Sequence, residues 1–188
     1  MKISHISSHQ VQPTKKYIFD TNIWLYLLPL QRNQSGYHQN NAALYSSLLS
    51  NILSNGCKIA ILSIEVSEIF NVYLRERGKF FLNSQNKQYS SRNYKRIYRK
   101  SQSFINDKNY IASEISQNIL TFCSKVDDNF SVLSNNCMLG NGIMAFDFND
   151  NYLLNFCELE NYVFVSHDKD CQNISYQNLN LEVVTANI

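Results

Sequence analysis

Glycine and proline are scarce in this chain, with 5 and 2 copies in 188 residues, which excludes collagen-like and loop-dominated architectures. No C-x-x-C pair occurs among its cysteines (Cys57, Cys123, Cys137, Cys157 and Cys171), so neither a zinc site nor a thioredoxin-like redox motif is expected. Their odd number disfavours a disulfide framework and leaves buried free thiols as the expectation. Residues 1–14 lack the apolar core of a signal peptide. The longest apolar run, Ile23 to Leu30, falls well short of the roughly 20 residues that cross a bilayer. A soluble, cytoplasmic protein that does not span a membrane is expected.

What is present is a globular composition, 44% hydrophobic and 13% aromatic, long enough for one domain over 1–188 with a polar tail at 1–15. The net charge of +2 conceals an asymmetry. Arg75 to Lys108 carries ten Lys/Arg against Glu76 and Asp107, while Asn109 to Ile188 carries ten acidic residues against Lys125 and Lys169. A basic stretch followed by an acidic one suits an enzyme that grips a polyanion on one surface and a metal in one pocket.

Apolar runs at Tyr17–Phe19, Cys57–Leu62, Tyr162–Val165 and Leu181–Thr185 predict strands. Between them lie helical patterns. One begins at Asn22, and a second places Leu44, Leu48, Leu49, Ile52 and Leu53 on one face before an Asn55-Gly56 C-cap. A third runs from Ile64, with Ser63 as N-cap, to a stop at Gly78. Further helices are expected over Ser90–Ile105, Ile111–Val126 and Asp150–Leu159, and loops over Gln31–Asn40 and Asn135–Gly142. Strands alternating with helices predict an α/β domain with a mostly parallel sheet.

Four acidic stretches occupy corresponding positions in this pattern. Asp20 ends the first strand, and Glu68 lies in the row Ile64–Glu68–Val72 of the helix after the second. Asp147 and Asp150 open the helix before the YVFV strand, and Asp168 and Asp170 follow that strand. In a parallel sheet these ends share one edge. Carboxylates gathered there repel unless a cation sits between them, and Mg²⁺ or Mn²⁺ is the natural resident of an all-oxygen set. Such ions activate water and stabilise the leaving oxygen of a phosphodiester. Each residue also has a plainer reading. Asp20 is equally an N-cap, Glu65 a first-turn charge favoured by the helix dipole, Asp150 a helix-start charge, and Asp168–Asp170 a polar turn. Glu68, mid-helix among apolar neighbours, is hardest to dismiss. His167 reads as a polar surface residue.

The motifs resemble those of PIN-domain proteins, a family of Mg²⁺/Mn²⁺-dependent ribonucleases that includes VapC-type toxins. Asp20-Thr21-Asn22 matches the opening motif, Ser63 to Asn71 the glutamate helix, Asp147 to Asp150 the third motif, and Val163 to Asp170 the fourth. The resemblance implies a three-layer α/β/α sandwich around a central, mostly parallel sheet. It implies Asp20, Glu68, Asp150 and Asp168 as the catalytic metal-binding quartet, Asp147 and Asp170 as auxiliaries, and Asn22 and Ser166 as polar supports. It also implies RNA as substrate, a protein antitoxin as partner if the chain is a toxin, and a homodimer as a common state. Ser166 stands where the family often has Thr, Cys171 where an aromatic often follows, and the basic stretch at 78–108 exceeds a minimal toxin.

If Ser90–Ile105 is helical, Arg92, Lys95, Arg96, Arg99 and Lys100 share one side and predict phosphate contact. Tyr89 or Tyr94, if exposed, would add base stacking. The expected function is therefore a metal-dependent endoribonuclease. The alternative is an inert RNA-binding or scaffold module on the same fold. A phosphohydrolase using Asp20 as nucleophile is disfavoured, because Asn22 stands where such enzymes usually need a second Asp.

Overall fold

The structure is a computed structural model that describes residues 2–28, 36–133, 147–172 and 180–187. Its centre is β2 (Lys16–Phe19), which buries Tyr17 and Phe19 toward one side and Ile18 toward the other. Burial on both faces is what a continuous apolar run means in a parallel sheet. From β2 the chain passes through α1 (Thr21–Leu27) and α2 (Gly36–Ser54) to β3 (Lys58–Ile61). It continues through α3 (Ser63–Ser84), α4 (Ser91–Arg96), a 3₁₀ turn at Tyr98–Lys100 and α5 (Gln102–Asn118) to β4 (Cys123–Lys125). Then α6 (Phe148–Glu160) leads to β5 (Tyr162–Val165), a 3₁₀ turn at Lys169–Gln172, and β6 (Glu182–Thr185).

Six strands form one sheet in the order β1-β6-β5-β2-β3-β4, every pair parallel, with β1 (Lys2–His5) at one edge. The chain moves outward from β2 to β4, then returns to β5 on β2's other side. Right-handed crossovers running in opposite directions put their helices on opposite faces. The packing follows that rule. Ile23, Trp24, Tyr45, Ile52, Ile69, Tyr73 and Ile111 share one core with Tyr17 and Phe19, whereas Tyr152, Leu153, Phe156 and Cys157 of α6 share the other with Ile18. The result is a three-layer α/β/α sandwich. The direction of winding reverses between β2 and β5, and ligands bind outside the carboxyl ends of strands at such a switch point. No helix among the described residues is long and apolar enough to cross a membrane.

Several boundaries differ from the expectation. Part of the polar N-terminal segment is an edge strand, because Lys2–His5 finds β6 to pair with. Residues 36–40, read as loop, begin α2, while 31–35 and the expected loop over Asn135–Gly142 lie outside the described residues. The N-cap position of α3 is Leu62, and Ser63 is its first helical residue. The helix expected over Ile111–Val126 starts earlier, at Gln102, and ends before β4. Four of the cysteines, Cys57, Cys123, Cys157 and Cys171, are buried free thiols; Cys137 lies outside the described residues.

The largest correction concerns the basic segment. It is not one helix over Ser90–Ile105: Ser90 caps α4 through the Asn93 amide, Ile97 leaves the helix, and Ser101 caps α5 through the Phe104 amide. Two serine caps compete with the uninterrupted helix that charge spacing alone suggests. Nor does Gly78 stop α3, which continues to Ser84. A Cβ at Gly78 would lie 2.6 Å from the Tyr94 ring and 2.9 Å from Tyr98, so this glycine is a seat for aromatic rings. Gly78→Ala gains about 1 kcal/mol of helix propensity but overpacks a site where Tyr98 is fully buried. We expect a net loss of about 1–2 kcal/mol in denaturant unfolding, with faster proteolysis around residues 85–100.

Candidate active site

Asp20 directly follows β2, and its amide donates to the Val165 carbonyl at 2.9 Å, continuing the β2–β5 pairing by one step. The residue occupies the N-cap position of α1, yet its side chain makes no capping hydrogen bond. The carboxylate instead turns to the sheet edge. Its Oδ2 accepts from Ser166 Oγ at 2.7 Å and from Asn22 Nδ2 at 2.6 Å. Ser166 Oγ in turn accepts the Asp168 amide at 3.1 Å, and Asn22 Oδ1 accepts the His167 amide at 3.2 Å. Asn22 and Ser166 thus tie the end of β2 to the loop after β5.

Glu68 lies one and a half turns into α3 and is half-buried. Its Oε2 accepts from Thr21 Oγ1 at 3.2 Å and from Asn149 Nδ2 at 3.3 Å, which links it to α1 and α6. Asp147 caps α6, accepting the Asn149 and Asp150 amides at 2.8 and 3.1 Å. Asp168 accepts the Asp170 amide at 2.8 Å. Both of these carboxylates therefore serve partly as local caps, a role in keeping with the plainer reading of Asp168–Asp170 as a polar turn but not anticipated for Asp147.

Electrostatics bring the acidic residues together. Burial raises the Asp20 carboxyl to about 6; Glu68 and Asp168 push it the same way, against the Ser166 hydroxyl and the Thr21 amide. Burial also raises Asp150 to about 7, with Asp20 and Asp147 adding to the rise, the Asp147 backbone amide opposing it, and Asp168 adding a little more. Asp20 is thus repelled by each of Glu68, Asp150 and Asp168, and Asp150 by Asp168 as well. Among the described residues, however, no three of the His, Cys, Asp and Glu side chains close to the spacing that would hold a metal ion. Chemically the set still suits a hard divalent cation, since its donors are carboxylate oxygens and a cation would offset the burial that opposes ionisation of Asp20 and Asp150.

Glu65 is the residue that sequence reasoning placed least well. It is fully buried, and its Oε2 accepts the Leu62 amide at 2.9 Å. Oε1 and the Trp24 indole nitrogen are the two buried side-chain polar atoms among the described residues without a well-formed hydrogen bond, and the indole lies near enough to the carboxyl to favour its charged form. Burial holds the Glu65 carboxyl well above its ordinary range, and Asp20 and Glu68 push further in that direction. Its position on the helix announced a dipole partner; only the tertiary packing reveals a carboxyl beneath the cluster. Thr21 and Asn149 were likewise given no role, although both stand inside the quoted motifs. His167 is no plain surface residue: Nδ1 meets Tyr45 Oη at 2.9 Å and Nε2 meets Asn41 Nδ2 at 3.2 Å.

The basic residues lie elsewhere. Tyr94 and Tyr98 pack on Gly78, ten residues and about 15 Å along α3 from Glu68. Arg77 Nε bonds Asp107 Oδ1 at 2.9 Å, and Tyr98 Oη donates to Asp107 Oδ2 at 2.8 Å, fastening this segment to α3 and α5. Arg92, Lys95, Arg96, Arg99 and Lys100 are exposed, and none is ion-paired among the described residues. Tyr89 and Tyr94, expected to stack on bases if exposed, are half-buried and packed edge-on against each other.

No protein-family model matches the sequence, and no curated protein matches it. Among solved structures, the chain is similar to one from the crystal structure of VapBC2 from Rickettsia felis bound to a DNA fragment from their promoter. The identity is 20%, with 89% of this chain and 98% of that chain covered, at a TM-score of 0.46. A likeness at that level leaves function to be argued from the residues.

The raised carboxyls set a pH dependence. With folded values of about 6 and 7 above a reference of 3.8, the folded protein binds more protons than the unfolded chain across that window. Metal-free stability therefore falls as pH rises from about 4 to 7. Asp20→Asn flattens the fall and stabilises the metal-free protein at pH 8 by on the order of 2 kcal/mol, measurable by urea unfolding in chelator.

Proposed function

We propose that this protein is a Mg²⁺- or Mn²⁺-dependent endoribonuclease of the PIN-domain type. The observation that carries the proposal is Asp20, a buried carboxylate at the sheet's switch point that caps nothing and repels Glu68, Asp150 and Asp168 across the same edge. The four motifs in their order support the same reading. In it, Asp20, Glu68, Asp150 and Asp168 hold the metal, with Asp147 and Asp170 beside them. A bound divalent ion supplies neutralisation of these charges and activation of water toward a phosphodiester.

The remaining roles belong to the chain itself. Ser166 and Asn22 fix the orientation of Asp20, while Thr21 and Asn149 do so for Glu68. Arg92, Lys95, Arg96, Arg99 and Lys100 grip the RNA backbone well away from the bond that is cut, so they contribute affinity more than chemistry. The toxin-like resemblance adds a small protein antitoxin that covers the acidic edge, and a homodimer as the working assembly.

One observation favours a second reading, an inert RNA-binding module on the same fold. The carboxylates of Asp147 and Asp168 already serve as caps, and no three ligand-type side chains among the described residues close on a common point. Cleavage of labelled single-stranded RNA with Mn²⁺, Mg²⁺ or EDTA separates the two. We expect metal-dependent cleavage that falls at least a hundredfold in Asp20→Asn. RNA binding without cleavage under every metal, unchanged in the variant, selects the binding module.

The five cations are tested separately. Replacing all five with Gln weakens RNA binding across sequences and lowers the slope of log affinity against log salt by roughly 0.7 for each phosphate no longer neutralised. Fluorescence anisotropy at several salt concentrations measures both, and an unchanged slope removes these residues from the interface.

A further inference from the structure

Outside the carboxylates, the same edge of the molecule carries three stacked rings. Tyr152 is buried and stacks with Phe148, at a centroid distance of 5.9 Å and 26° between planes, and with Phe130, at 6.4 Å and 30°. Its hydroxyl donates to the Asp128 carbonyl. The Asp128 carboxylate accepts from Ser63 Oγ at 2.6 Å at the start of α3. The middle ring is therefore anchored to the helix that presents Glu68.

The outer rings are open. Phe148 is 43% exposed and Phe130 is 61% exposed, in a chain that fully buries Phe19 and Phe156. Single exposed hydrophobics need no explanation, but a stacked set is not a scatter. Phe148 sits between Asp147 and Asn149, and Asn149 donates to Glu68. The ring and the carboxylate edge thus share one turn of α6.

We propose that Phe148 and Phe130 form a stacking platform for a nucleobase of single-stranded RNA next to the cleaved phosphate. The proposal rests on the ribonuclease reading for its choice of ligand. Flat rings held by their inner faces leave outer faces for another flat ring, and every base has one. Base stacking on aromatic side chains is the usual means of holding unpaired RNA. The platform reads no base identity, since it presents no hydrogen-bonding group. It also supplies what the basic segment does not: local positioning of the strand at the cutting edge. Base-edge selectivity would have to come from other residues.

The test uses the full chain with Phe148→Ala, Phe148→Leu, Phe148→Trp and the double variant Phe148→Ala/Phe130→Ala, each checked by thermal melting. Leu keeps an apolar contact with Tyr152 but has no π-face. With base-bearing RNA, KM rises roughly tenfold for each ring removed, in Leu as in Ala, while kcat changes little and Trp retains the parent value. On RNA with an abasic position at the cut, the variants and the parent converge. In parallel, 2-aminopurine RNA titrated onto Asp20→Asn protein is quenched, and removal of both rings abolishes the quench. Equal KM and equal quenching in the double variant overturn the platform, as does an equal loss on abasic RNA. A parent that cleaves under no metal overturns the nuclease reading. Ring-dependent quenching would then still support the platform, and its absence would reject both.

Discussion

The register between β2 and β5 is the constraint on which everything functional depends. These strands lie far apart in the chain, yet Lys16 pairs with Tyr162 and Phe19 with Val165, so Asp20 and Ser166 emerge side by side. The Ser166–Asp20 and Asn22–Asp20 hydrogen bonds then fix a carboxylate at the point where the sheet reverses its winding. A slip of one residue would turn Tyr17 and Phe19 out of one core and Ile18 out of the other, so two hydrophobic cores enforce the alignment. The site inherits its geometry from packing that has no direct part in chemistry.

That geometry carries an electrostatic cost. Burial and mutual repulsion oppose ionisation of Asp20 and Asp150, and Glu65 adds a third carboxyl beneath them. Groups so placed weaken the fold at neutral pH unless a cation offsets them. Among the described residues no ion pair joins a cation of the chain to these carboxylates, and Arg92, Lys95, Arg96, Arg99 and Lys100 lie in the segment fastened to the far end of α3 through Gly78, Tyr94, Tyr98 and Asp107. The two charge populations are thus separated along one long helix, and the acidic edge is left to the divalent ion of the proposed function.

Much of this was legible in the sequence. Continuous apolar runs located β2, β3, β5 and β6, because a strand buried on both faces leaves no alternation to misread. The acidic residues at strand ends pointed to one edge because a parallel sheet offers no other place for them. Legibility ended where tertiary contact overrides local pattern. Lys2–His5 is polar and becomes a strand only through β6. Gly78 has the signature of a helix stop, but the rings packed on it need the missing Cβ. Ser101 reads as one more residue of a periodic helix until its side chain caps the next. Glu65 and Glu68 both stand near the start of α3, and three residues decide which one is sealed beneath the cluster and which reaches Thr21 and Asn149.

In the proposed function these carboxylates hold a divalent ion. Calorimetric titration of the metal-free protein with Mn²⁺, in buffers of differing ionisation enthalpy, tests it most directly because it counts protons as well as ions. At pH 6, with Asp20 near 6 and Asp150 near 7, binding should release about one proton or slightly more. The release should fade above pH 8 and shrink in Asp20→Asn. Absence of binding, or binding with no proton release and no change in Asp20→Asn, would contradict the account.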